Sequence, residues 1–137
     1  MKNLIASLLV MALASITIYA AGVPKLALDG QSENGLFNLL LYPQQGEPVI
    51  GEYHHWIIEL KDKHDKPIDN AVIGIGGGMA AHGHGLPSQP VVTDYLGEGK
   101  YLVEGLLFNM AGDWTLLVAV KKGQFSDRAE FEMKLEF

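Results

Sequence analysis

Two histidines separated by one glycine, His82-Gly83-His84, lie in the stretch Gly76-Gly77-Gly78-Met79-Ala80-Ala81-His82-Gly83-His84-Gly85-Leu86-Pro87-Ser88-Gln89-Pro90. In an extended segment, residues two apart project to the same side, so the pair offers two imidazoles to one ion. The surrounding glycines allow the backbone angles that a chelating loop needs. Met79 precedes His82 by three residues, Met110 falls in a turn between two strands, and His54 opens a strand whose apolar face carries Trp56. Imidazole and thioether without thiolate suit copper, and zinc also accepts the histidines. The same residues have a plain structural explanation: solvated histidines in a glycine loop, methionines plugging gaps at a sandwich end, and His54 as a core histidine satisfied by a carbonyl. His64 is expected to be exposed among charged turn residues, and His55 to be structural or solvated.

Other chemistries find little support. The chain has no G-x-S-x-G, H-E-x-x-H or G-x-x-x-x-G-K motif. Asp and Glu fall mostly in turns and on outward positions, as solubilising charges do. With no cysteine, a thiolate ligand, a cysteine nucleophile and a lipid-bearing cysteine are all excluded. Ten basic against sixteen acidic residues give a net charge of −6, which argues against binding nucleic acid through its phosphates.

The elements that must position the histidines are short strands. Met1-Lys2-Asn3, the uncharged run Leu4 to Ile18 and the small residues Ala20-Ala21-Gly22 read as a secretory signal ending near Ala20, or as an uncleaved N-terminal anchor. Loss of residues 1–20 removes one lysine and no acid, so −6 becomes −7. Either way the body is exported, periplasmic or extracytoplasmic, or held at the inner membrane by that anchor. Residues 21–35 read as a linker. From Leu36 onward apolar stretches alternate with turn residues and no helical period is sustained. Strands are expected at Leu36–Tyr42, Tyr53–Leu60, Ala71–Ile75, Pro90–Tyr95, Tyr101–Leu107, Trp114–Lys121 and Asp127–Leu135. About seven such strands predict an all-β domain, a single antiparallel immunoglobulin-like β-sandwich over residues 36–137. Its core faces carry Trp56, Ile58 and Leu60 on one strand and Trp114, Leu116, Val118 and Val120 on another.

Three motifs in order, His82-Gly83-His84-Gly85-Leu86-Pro87, then Gly97-Glu98-Gly99-Lys100-Tyr101, then Phe108-Asn109-Met110-Ala111-Gly112-Asp113-Trp114, resemble the YtkA-like family, close to the FixH-like proteins. The resemblance runs from about Tyr53 to Val120. It implies an exported or membrane-anchored immunoglobulin-like sandwich without enzymatic activity, often associated with copper or with assembly of respiratory oxidases. Position by position, the family's histidine before the tryptophan falls on His54, its loop histidines on His82 and His84, and its methionine on Met110. This chain has Met79-Ala80 where Met-Pro is common, and Pro87-Ser88 where Pro-Thr is common.

The resulting expectation is an exported copper-binding or copper-delivery protein. His82 and His84 are its primary ligands, His54 and Met110 complete the set, and Met79 is held in reserve. Phe108 and Trp114 form a dry wall, and zinc is a competing ion. The alternative is a metal-free interaction module that assists assembly of a membrane complex.

Overall fold

The computed structural model describes residues 25–137; the expected signal or anchor, residues 1–20, lies outside them. Among the described residues, nine strands form two antiparallel sheets. They are β1 (Leu28–Gln31), β2 (Phe37–Pro43), β3 (Tyr53–Asp62), β4 (Val72–Met79), β5 (His84–Gly85), β6 (Val91–Gly97), β7 (Lys100–Leu107), β8 (Gly112–Lys122) and β9 (Phe125–Leu135). One sheet has the order β1-β2-β3-β7-β6 and the other β5-β4-β8-β9.

Alternation decides what these strands bury. Along β9, Asp127, Ala129, Phe131, Met133 and Leu135 are buried while the intervening residues are exposed, the period-two signature of a sheet with one wet face. Leu39, Leu41, Trp56, Ile58, Leu60, Tyr101 and Val103 supply the core from the first sheet. Trp114, Leu116, Val118 and Val120 answer from the second. The two layers close over these side chains as a β-sandwich.

Two short strands extend the seven expected ones. β1 lies within the stretch assigned to a linker and pairs with β2, Leu28 opposite Leu41. Asp127 ties the β1–β2 turn to β9: its carboxylate accepts from the Asn34 amide at 3.0 Å and from Asn34 Nδ2 at 2.9 Å. The second addition is β5, which pairs with the end of β4.

The glycine stretch is the larger correction. The third strand does not stop at Ile75; β4 runs on through Gly76, Gly77 and Gly78 to Met79. These glycines are therefore sheet, not loop, and at Gly77 and Gly78 the neighbouring backbone comes too close for a side chain. A Cβ on Gly77 (φ +141°) would lie 2.0 Å from the Thr115 carbonyl oxygen, and one on Gly78 would lie 2.2 Å from that of His84. Only Ala80 to Gly83 leave the sheet before the chain rejoins it as β5.

Candidate metal centre

Where β4 ends, Ala80–His82 form a single 3-10 turn, and Gly83 in the left-handed region (φ 65°) reverses the chain into β5. The Gly83 amide donates to Ala80 O at 3.1 Å and the Leu86 amide to Gly77 O at 3.0 Å, so the turn is closed at both ends. His82 and His84 thus meet through a turn, rather than through the extended segment that their spacing predicted. Their ring centroids lie 6.0 Å apart, with the planes inclined at 35°. Both residues are exposed.

His84 Nδ1 stands 2.9 Å from Gly85 O. A carbonyl only accepts, so Nδ1 is the donor in this contact, and in the neutral ring Nε2 is then the nitrogen that offers a lone pair. This is the outer bond by which proteins set a metal-ligating histidine's tautomer and ring orientation. With metal–nitrogen bonds of about 2.0 Å and a ring atom about 1.2 Å from its centroid, two imidazoles on one ion have centroids at most roughly 6.4 Å apart. The observed separation falls inside that limit, so the spacing of the rings permits a shared ion if both turn a nitrogen toward it.

The register adds a third group. Met79 is the direct partner of His84 across β4 and β5, and directly opposed residues share a face with Cβ atoms about 4.5–5.5 Å apart. Met79 is 1% exposed, and its methyl fills the space that Gly112 leaves open, where a Cβ would be 2.8 Å from Met79 Cε. The His84 ring meets the Trp114 indole edge-on at 5.9 Å. Trp114 in turn packs on Phe108 at 5.2 Å, and Phe108 on Trp56 at 6.3 Å. Both members of the expected dry wall, Phe108 and Trp114, are buried in the core. Met110, half-buried in the β7–β8 connection, accepts the Trp114 indole N–H on its carbonyl at 3.1 Å.

His54 stands apart. It faces the same side as its partner Leu106, as alternation predicted, but its Nε2 is 2.8 Å from the carbonyl of Val49 and 2.9 Å from that residue's amide. In either tautomer this nitrogen is engaged by backbone. The ring lines a depression with Gln45, Glu47, Val49, Glu52, Tyr53 and His55, which includes none of the other candidate ligands. His55 lies 3.5 Å from Glu104, opposite a bulge where β7 fits two residues, Glu104 and Gly105, against one of β3. Among the described residues no three His, Asp or Glu side chains form a metal-holding group.

The structure therefore brings His82, His84 and Trp114 together, sets Met79 opposite His84 in the sheet, ties Met110 to Trp114 through its backbone carbonyl and leaves His54 to the Val49 loop. Composition did not mark Met79 as the cross-strand neighbour of His84, since that pairing exists only if the glycines continue β4. The orienting carbonyl of Gly85 carries no side-chain signal at all.

A profile of the YtkA-like family matches residues 31–119. The chain belongs to the YtkA-like family. The matched span contains β2 through most of β8 and with them every candidate ligand, while β9 lies beyond it. No curated protein and no solved structure matches the chain. In this YtkA-like domain, then, the fold and the family are settled, and the chemistry of the loop rests on its own geometry.

Proposed function

We propose that this YtkA-like protein is an exported, non-enzymatic copper carrier that holds one copper ion at the end of β4. His82 and His84 are the primary ligands, with Met79, opposite His84 in the sheet, and Met110, in the β7–β8 connection, as the thioether donors. The observation that carries the proposal is the contact of His84 Nδ1 with Gly85 O on a ring that stands beside a second exposed imidazole. Copper supplies the affinity for imidazole and thioether that such a set requires. Exposed ligands on a turn at the sheet edge suit transfer to a partner better than permanent storage, consistent with delivery to a membrane complex.

The test is anaerobic competition for Cu(I) against a chromogenic chelator, comparing the wild type with the His82→Ala/His84→Ala double variant. One ion per chain, lost in the double variant but retained in His54→Ala, supports the proposal. Equal binding by wild type and double variant refutes it. A second reading, a metal-free docking module, draws on one feature: β5 covers only Gly78 and Met79, so the edge of β4 from Val72 to Gly76 has no strand partner among the described residues and is open to an added strand.

A further inference from the structure

The open edge of β4 identifies its own partner, independently of the copper reading. We infer that the protein associates with a second copy of itself through this edge, the two β4 strands running antiparallel and centred on Gly74.

The other edges are blunted in the ways that keep strands from pairing with foreign chains: short length, bulges, charges or a covering segment. β5 has two residues, and β1 has four including Asp29. β6 carries the exposed Asp94 and register shifts at Val92/Asp94 and Tyr95/Gly97. β9 presents Arg128, Glu130, Glu132 and Lys134, and the Glu33 amide covers Arg128 O at 2.8 Å. Residues 72–76 of β4, Val-Ile-Gly-Ile-Gly, have no charge, no proline and an unbroken register with β8. Nothing among the described residues pairs with their outer side, because Pro87 follows Leu86 and has no N–H with which to extend β5.

The Leu86 amide donates to Gly77 O, so Gly77 faces the open side. By alternation Ile75 and Ile73 turn their N–H and C=O groups there too. Leu86 closes this window beyond Gly76. Before Val72 the chain turns off, with Asn70 at φ 48° and the Tyr101 hydroxyl of the other sheet holding Ile68 O at 2.8 Å and the Ala71 amide at 3.1 Å. Two such windows fill each other completely only when centred on Gly74. Ile73 of each copy then exchanges both backbone bonds with Ile75 of the other, Val72 lies opposite Gly76, and Gly74 opposite Gly74. The side chains agree with that register. Val72, 70% exposed, settles over a glycine and next to Leu117, the 42% exposed cross-strand neighbour of Gly76. The strand is complementary to its own copy, bulk against bare backbone and no charge opposed.

The chain has no cysteine, so single replacements report the register. Gly74 accepts a side chain, since a Cβ there meets only Ala119 Cβ at 4.0 Å. Opposed Gly74 residues form a non-hydrogen-bonded pair with Cα atoms about 4.5 Å apart, within reach of a disulfide. The two Val72 residues are four positions out of register, roughly 14 Å apart, beyond the limit of about 7 Å. On mild oxidation of the full chain, Gly74→Cys is expected to form a linked dimer roughly tenfold faster than Val72→Cys. Equal cross-linking of the two, or none in Gly74→Cys, overturns the inference. Gly74→Lys sets like charges directly opposite each other and is expected to abolish the concentration-dependent dimer seen for the wild type in sedimentation, with circular dichroism unchanged. A wild type that stays monomeric, or a dimer that survives Gly74→Lys, also overturns it. Failure here leaves the copper reading standing, since none of these variants alters His82, His84 or Met79.

Discussion

Gly78→Ala tests the link between the glycine strand and the histidine pair. The added methyl carbon would sit 2.2 Å from His84 O and 2.7 Å from Gly85 Cα. Ordinary contact begins near 3.4 Å, so β5 must retreat by about 1.2 Å. It is free to do so, because it is a two-residue strand at the edge of its sheet. Its retreat forfeits the pairing at Gly78 and Met79 and the bond from the Leu86 amide to Gly77 O. At roughly 0.5–1.5 kcal/mol per hydrogen bond the loss is about 1–4 kcal/mol. That is a fraction of the roughly 5–15 kcal/mol that holds a domain of this size, so the variant folds. His84 moves away from Met79 and Trp114, and Cu(I) affinity is expected to fall at least tenfold. Urea denaturation gives the stability change, and chelator competition on the same sample gives the affinity. A Gly78→Ala protein with wild-type stability and wild-type affinity would refute the close approach of β5 and the role assigned to it.

Other perturbations separate the remaining parts. Gly77→Ala places its methyl 2.0 Å from Thr115 O, inside the sheet where β8 cannot retreat, so a loss of more than about 3 kcal/mol or failure to fold is expected in urea denaturation. Trp114→Phe removes the indole bond to Met110 O and some core volume; about 1–3 kcal/mol of stability should go with it, read from the denaturation midpoint. His54→Ala should speed amide exchange at Val49 and its neighbours and leave metal affinity unchanged, since its ring nitrogen serves that loop. Burial raises the Asp127 pKa, but hydrogen bonds from Ser32, Asn34 and Arg128 outweigh it and hold the carboxyl at about 2, below the ordinary 3.8. A carboxylate so lowered stabilises the fold fully above about pH 4, and that contribution is lost as pH falls through about 2. Asp127→Asn should flatten the acid limb of a stability–pH curve over that window.

The sandwich was legible because its signal is periodic. The alternation Ala129, Phe131, Met133, Leu135 and its counterpart Trp114, Leu116, Val118, Val120 each name a face without reference to anything distant. β4 was legible only as far as Ile75, since Gly76-Gly77-Gly78 reads as a loop by composition. It is a strand because Thr115 and His84 approach its backbone, a long-range fact that no local pattern carries. The site divides in the same way. His82 and His84 were marked by their spacing, and the aromatic wall by Phe108 and Trp114. Met79 comes opposite His84 only through register, and His54 Nε2 is held by the backbone of Val49, five residues earlier, which has no side-chain signature.

X-ray absorption at the copper edge of the Cu(I)-loaded full chain tests the central claim most directly. The account predicts two imidazole nitrogens and a thioether sulfur around the ion, with the imidazole scattering gone in the His82→Ala/His84→Ala variant. A copper ion surrounded by oxygen ligands, or one whose spectrum is the same in that variant, would contradict it.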